Sequence, residues 1–177
     1  MRWLACLGVI AIVGGEAVAE PMRTPYDAGR FDINLGFYQQ GPELRGVRVG
    51  GGYYVARGFE VGFDVIHFWG QPADVEGVAP YFKYFFTPWY DSIPLVPYIG
   101  ASYEHLWTDP NYYVPDSISA RAGLALTFPT NTPRYFVIVG AGVVVDHPIE
   151  RCPNANCDEY LPNSDHIGPE VFVTAGF

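Results

Sequence analysis

The residues best equipped for chemistry in this chain are few. Cys152 and Cys157 bracket Pro153-Asn154-Ala155-Asn156, with His147 and His166 on either side. Two thiolates and two imidazoles could ligate zinc, but these spacings match no common zinc signature. Outside the cytosol, two nearby cysteines ordinarily form a disulfide. Closing so short a loop would contribute about 2 kcal/mol on the chain-entropy estimate. The expectation is a Cys152–Cys157 disulfide and no metal.

Hydrolytic chemistry finds less support. A strand-borne His-x-Ser pair would let an imidazole activate a hydroxyl. His67, His105, His147 and His166 are followed by Phe68-Trp69, Leu106-Trp107, Pro148-Ile149 and Ile167-Gly168, so none supplies that pair. Glu104 adjoins His105, but neighbouring strand residues point to opposite faces. No catalytic residue and no cofactor is assigned. Asp109, Asp116, Glu150, Asp158, Glu159 and Asp165 are hard oxygen donors of the kind Ca²⁺ and Mg²⁺ prefer. No spaced motif among them lifts them above ordinary solubilising loop residues.

A third set stands out by phase. Asp32, Arg48, Glu60, Asp64, Lys83, Glu104, Arg121, Asp146 and Glu170 each occupy the polar positions of an alternating segment. If these positions face an interior, each charge needs a partner, because burying one alone costs several kcal/mol. Height along the strands suggests Asp64 with Lys83, Glu104 with Arg121, and Arg48 facing Glu170 across a narrow lumen. The candidate charge network is therefore Arg48, Asp64, Lys83, Glu104, Arg121 and Glu170.

Those charges are carried on strands. The alternation has the period of a two-faced strand and recurs eight times. Phe31–Phe37, Val47–Val55 and Phe59–Val65 open the series. Further segments lie at about 79–87, 95–107, 117–128, 134–146 and 167–177. Each is roughly the 9–11 residues a tilted membrane strand requires. The intervening loops at about 39–46, 67–78, 108–116 and 147–166 are on the whole longer than the turns at about 56–58, 87–94 and 129–133. Such asymmetry belongs to outer-membrane barrels, although the turn at 87–94 is long for that pattern. Composition agrees. Aromatics are 16% and charged residues only 16% of the 177 residues, against about 25% charged in average globular usage. Gly (20) and Pro (16) work against long helices.

The first residues have the layout of an export signal. Arg2 precedes the apolar run Leu4–Gly15, and Ala17-Val18-Ala19 is a small-x-small cleavage site. The run is too short for a spanning helix, which needs about 20 residues. The expected organisation is a cleaved signal peptide at 1–19, a short periplasmic segment at 20–29 and a barrel at 30–177. Cleavage removes Cys6 and leaves the net charge at −9, since Arg2 and Glu16 leave together. An acidic exported protein is a poor nucleic-acid binder, because phosphates demand Lys and Arg.

Alternation alone does not say which face is outside. Soluble eight-stranded barrels alternate with the apolar face inward. Here the polar face carries charges of both signs and is also rich in Gly, which suits a narrow, crowded interior. Tyr38, Trp69, Phe86, Trp89, Tyr90, Trp107, Phe128 and Tyr135 gather near strand ends, as girdle aromatics do. The chain also stops on Val171-Phe172-Val173-Thr174-Ala175-Gly176-Phe177, alternating and aromatic-terminated.

Tyr81-Phe82-Lys83-Tyr84-Phe85-Phe86, followed by Pro97-Tyr98-Ile99-Gly100-Ala101-Ser102-Tyr103, is similar to the fourth and fifth strands of the small outer-membrane barrel superfamily typified by OmpW, OmpX and the OmpA transmembrane domain. The resemblance spans nearly the whole chain after the signal, on loose motifs. It implies an all-β, eight-stranded antiparallel up-and-down transmembrane β-barrel in the outer membrane of a Gram-negative bacterium. It also implies that Phe177 is the terminal signal read by the barrel-assembly machinery. Outer-membrane lipid and lipopolysaccharide would be its surroundings, and the Tyr-rich loops (Tyr112, Tyr113, Tyr160) would suit a surface protein partner. Eight strands leave an interior only wide enough for side chains. The functional expectation is thus a non-enzymatic barrel with a filled, salt-bridged lumen, serving envelope integrity or surface interaction. The alternatives are an OmpW-like conduit for small apolar solutes, which would be porin-like in effect, and a lipid-modifying enzyme.

Overall fold

The computed structural model describes residues 24–40, 44–69, 74–87, 94–108, 116–130, 135–149 and 165–177. Residues 1–19, where a signal peptide is expected, and the Cys152–Cys157 loop lie outside these residues. Eight strands follow one another: β1 (Phe31–Gln40), β2 (Leu44–Ala56), β3 (Phe59–Trp69), β4 (Val75–Phe85), β5 (Leu95–Thr108), β6 (Ser117–Pro129), β7 (Phe136–Pro148) and β8 (His166–Gly176). Each pairs antiparallel with the next and β8 pairs with β1, so the sheet closes into an up-and-down barrel. This is the all-β, eight-stranded architecture expected from the alternation.

The pairing register fixes how far the strands lean. A circuit from Arg30 passes through Tyr54, Glu60, Lys83, Gly100, Arg121, Val144 and Gly168. It returns to β1 level with Gln40, a stagger of ten residues. Closure of a barrel requires such a stagger and the tilt that accompanies it.

Every strand keeps the phase read from its sequence. Phe31, Ile33, Leu35 and Phe37 of β1, Val61, Phe63 and Val65 of β3, and Ile167, Val171 and Val173 of β8 face outward and are exposed. The nine charges of the polar face point inward, each no more than 4% exposed. A water-soluble barrel would reverse this arrangement; a barrel solvated by lipid requires it, with every backbone group paired within the closed sheet.

β3 and β4 extend furthest beyond the segments read from the alternation. β3 continues to Trp69 and β4 begins at Val75. Along these ends the interior becomes apolar, with Ile66, Phe68, Val75, Ala79 and Leu106 in a cluster with Tyr38. The outer face there carries His67 and Glu76. The contrast that marks a strand in sequence therefore fades, although the pairing His67 to Glu76 is regular. The loop asymmetry is also less uniform than expected. Only 41–43 separates β1 from β2, whereas 86–94 separates β4 from β5 at the opposite end.

One end of the barrel, the turn end, carries the tight Arg57-Gly58 connection, where Gly58 takes φ 76°. Only glycine adopts that conformation without steric cost. Residues 24–30 fold against this end. Tyr26 is fully buried, its hydroxyl lies 2.7 Å from Thr127 Oγ1, and its carbonyl accepts from Gly58 N. Asp27 caps the segment by accepting from Thr24 N (2.8 Å) and Thr24 Oγ1 (2.9 Å), and pairs with Arg57 at 3.8 Å. Tyr26 thereby joins Tyr54, Phe85, Tyr98, Phe136 and Phe172 in an apolar cluster inside the turn end.

Candidate functional site

The inward charges form two groups stacked between the apolar clusters. The larger centres on Glu104 of β5, which is fully buried. Arg48 reaches it across the lumen from β2 and donates through Nη2 to Glu104 Oε1. The same guanidinium lies 3.9 Å from Asp64 and 3.9 Å above the Tyr38 ring centre. Tyr38 in turn donates to Glu104 Oε2 at 3.3 Å. Tyr38 is therefore an interior residue rather than a girdle aromatic; on β1 the even positions face inward.

Arg121 of β6 completes the group. Its Nη2 donates to Ser102 Oγ at 2.8 Å and lies 4.0 Å from Glu104, while Nη1 donates to Glu170 at 3.4 Å. Ser102 and Ser119 donate to Glu104 Oε1 at 3.3 and 2.7 Å, and Ser119 also contacts Asp146. Five of the six candidate network residues (Arg48, Asp64, Glu104, Arg121 and Glu170) thus meet in one assembly. Donors from several directions on one carboxylate are the way a buried charge is kept inside a low-dielectric interior.

Lys83 belongs to the second group. The register sets it opposite Glu60, 3.7 Å away, and sets Asp64 opposite Ala79. The sequence-based pairing of Lys83 with Asp64 is therefore replaced by Lys83 with Glu60, and Asp64 turns to Arg48. Arg48 likewise meets Glu104 rather than Glu170. Tyr81 donates to Glu60 and accepts from Asn34 at 2.8 Å. Lys83 Nζ lies 4.6 Å from the Tyr81 ring centre and 4.8 Å from that of Phe172. Two glycines make room for these long side chains. A Cβ on Gly100 would lie 3.1 Å from Arg121 Cγ and 3.2 Å from Lys83 Cγ, and one on Gly52 would lie 2.8 Å from Glu60 Cγ.

Sequence reasoning missed Tyr38, Tyr81, Ser102 and Ser119 as partners. Their phase was available, but a charge-only search passes over neutral hydroxyls. It also missed a polar rim at the other end of the barrel, the loop end, on the outer surface. There His105 Nδ1 lies 2.8 Å from Asp116, Tyr103 donates to the same carboxylate, and Trp107 Nε1 donates to Glu76 at 3.2 Å. Trp69 and Trp107 are exposed on the outer face at the loop end, and Phe86, Phe128 and Tyr135 at the turn end; Trp89 and Tyr90 lie outside the described residues. Of the histidines weighed for zinc, His147 turns outward to Asp165 at 2.6 Å, whereas His166 faces the interior with Nε2 buried. Among the described residues, no group of three His, Cys, Asp or Glu side chains could hold a metal.

Apolar residues outside, charges inside and a closed antiparallel sheet define the chain as an eight-stranded transmembrane β-barrel. The N-terminal β-barrel domain of Pseudomonas aeruginosa OprF has this fold: TM-score 0.56 at 16% identity, over 85% of this chain and 98% of that one. Neisserial surface protein A aligns with a TM-score of 0.49 at 13% identity, over 83% and 93% of the two chains. A de novo designed transmembrane barrel aligns at 0.44 and 17% identity, over 85% and 96%. No known family's sequence profile matches the chain, and no curated protein is significantly similar in sequence.

Proposed function

We propose that this chain is a bacterial outer-membrane barrel that acts as a closed, non-enzymatic envelope protein. It would reinforce the membrane or present its loop-end surface to a partner. The observation that carries this reading is the continuity of side chains along the interior. Tyr26 and its aromatic neighbours occupy the turn end, the two ionic groups the middle, and Ile66, Phe68, Val75 and Leu106 the loop end. Filling of this kind is what an eight-stranded circumference permits. Outer-membrane location is supported by the lipid-compatible exterior, the export-type N-terminus and the fold shared with the OprF barrel domain. Lipopolysaccharide and outer-leaflet lipid would then surround it.

Planar-bilayer recording on the purified, refolded chain tests the closed lumen. The expected result is a silent bilayer at protein amounts that give confirmed insertion. Stable unitary currents that scale with inserted protein would instead make the chain a solute conduit. Mass spectra of lipid A from expressing cells test the non-enzymatic reading. An unchanged acyl pattern is expected, and loss or gain of an acyl chain would overturn it.

A further inference from the structure

Ser119 sits between two buried carboxyl groups. Its Oγ lies 2.7 Å from Glu104 Oε1 and is also in hydrogen-bond contact with Asp146 Oδ1. A hydroxyl carries one proton, so Ser119 satisfies only one of these acceptors as donor. The other contact is oxygen against oxygen unless the carboxyl itself brings a proton.

The two acids are not equivalent. Glu104 accepts from Arg48, Tyr38 and Ser102 and has Arg121 nearby, surroundings that suit an ionised carboxylate. Asp146 is 1% exposed; among the described residues no cation lies within ion-pair distance of it and its Oδ2 has no hydrogen-bond partner. We propose that Glu104 and Asp146 hold one proton between them at neutral pH, resident on Asp146. Asp146 Oδ1 donates to Ser119 Oγ, Ser119 donates to Glu104 Oε1, and the run ends on the Arg48 guanidinium. Every contact in the run then has one proton, with none left over.

Among the described residues, the cations facing Asp146 are already engaged by other carboxylates. Facing this region are Glu104 on β5, Arg121 on β6, Arg48 on β2, Asp64 on β3, Tyr38 on β1, and His166 and Glu170 on β8; β4 contributes apolar Val75 and Ala79. The two arginines already meet three carboxylates. His166 lies opposite Asp146 across the strand pair, but its Nε2 has no hydrogen-bond partner among the described residues.

The test is infrared spectroscopy of the refolded chain at neutral pH, with Asp146→Asn beside the wild type. The expected difference is loss of one residue's worth of protonated-carboxyl absorption in the variant. Identical carboxyl absorption in wild type and variant would overturn the proposal. If Asp146→Asn does not refold, the Asp146 carboxyl carbon shift in the wild type, read by NMR, decides alone. An acid-type shift at neutral pH supports the shared proton, and a carboxylate-type shift rules it out.

Discussion

Glu104 has more partners than any other lumen residue described above, and the consequences of removing it follow from what it leaves behind. Glu104→Ala leaves Arg48 in the interior with Asp64 at 3.9 Å as its one remaining carboxylate among the described residues, and releases Ser102, Ser119 and Tyr38 from their acceptor. Breaking a buried pair by deleting one partner costs about 3–5 kcal/mol. Urea unfolding in detergent micelles should show a loss of that order for Glu104→Ala. Glu104→Gln, which keeps an acceptor of the same shape, should lose less. Equal stability of Glu104→Ala and wild type would mean that water, not Glu104, solvates Arg48. Which residues point inward was legible in the sequence, because a period of two fixes the face. Which of them touch was not, because partner choice depends on the ten-residue stagger. A height estimate that ignores the stagger joins Lys83 to Asp64, whereas the true register places Lys83 beside Glu60.

At the scale of elements, the segment 24–30 does more than lead into β1. Tyr26 packs against Phe85 with ring centres 4.9 Å apart and against Tyr54 at 6.1 Å, while its hydroxyl reaches Thr127 on β6. Tyr26→Phe removes only the hydroxyl and should cost about 1 kcal/mol, the usual net worth of one hydrogen bond. Tyr26→Ala empties a fully buried site and should cost about 3–5 kcal/mol, as large-to-small core changes do. The two midpoints together separate hydrogen bonding from packing; no loss in Tyr26→Ala would show that the segment is not docked in the membrane-embedded protein. Nothing in the sequence announced this docking. Residues 20–29 carry no alternation, and Tyr26 finds its place only once β2, β4 and β6 surround it. The unread ends of β3 and β4 have a related cause, since interior and exterior there differ too little in polarity to show a phase.

Across the whole molecule, the decisive feature is the sign of the inside–outside polarity. The barrel closure was legible from eight alternating segments, but alternation is shared by soluble barrels, and in the structure the buried charges and the exposed Phe, Ile and Val residues separate the two. That separation can be measured. Leu35 faces outward near the middle of β1, whereas Ile167 faces outward at the loop end of β8 and is 73% exposed. In lipid, an outward Arg costs about 2–4 kcal/mol at the bilayer midplane and about 0–1 near the interface. In water, neither surface substitution should change stability by more than about 0.5 kcal/mol. Reversible unfolding from lipid vesicles should therefore show a large loss for Leu35→Arg and a small one for Ile167→Arg. Unboiled protein should also migrate differently from boiled protein on a detergent gel. If both arginines prove harmless and the chain is soluble without detergent, the outer face is a water face, and the inward charges need another explanation. A depth-dependent penalty would instead show that the exposed apolar band is a lipid contact, and would locate the middle of the bilayer along β1.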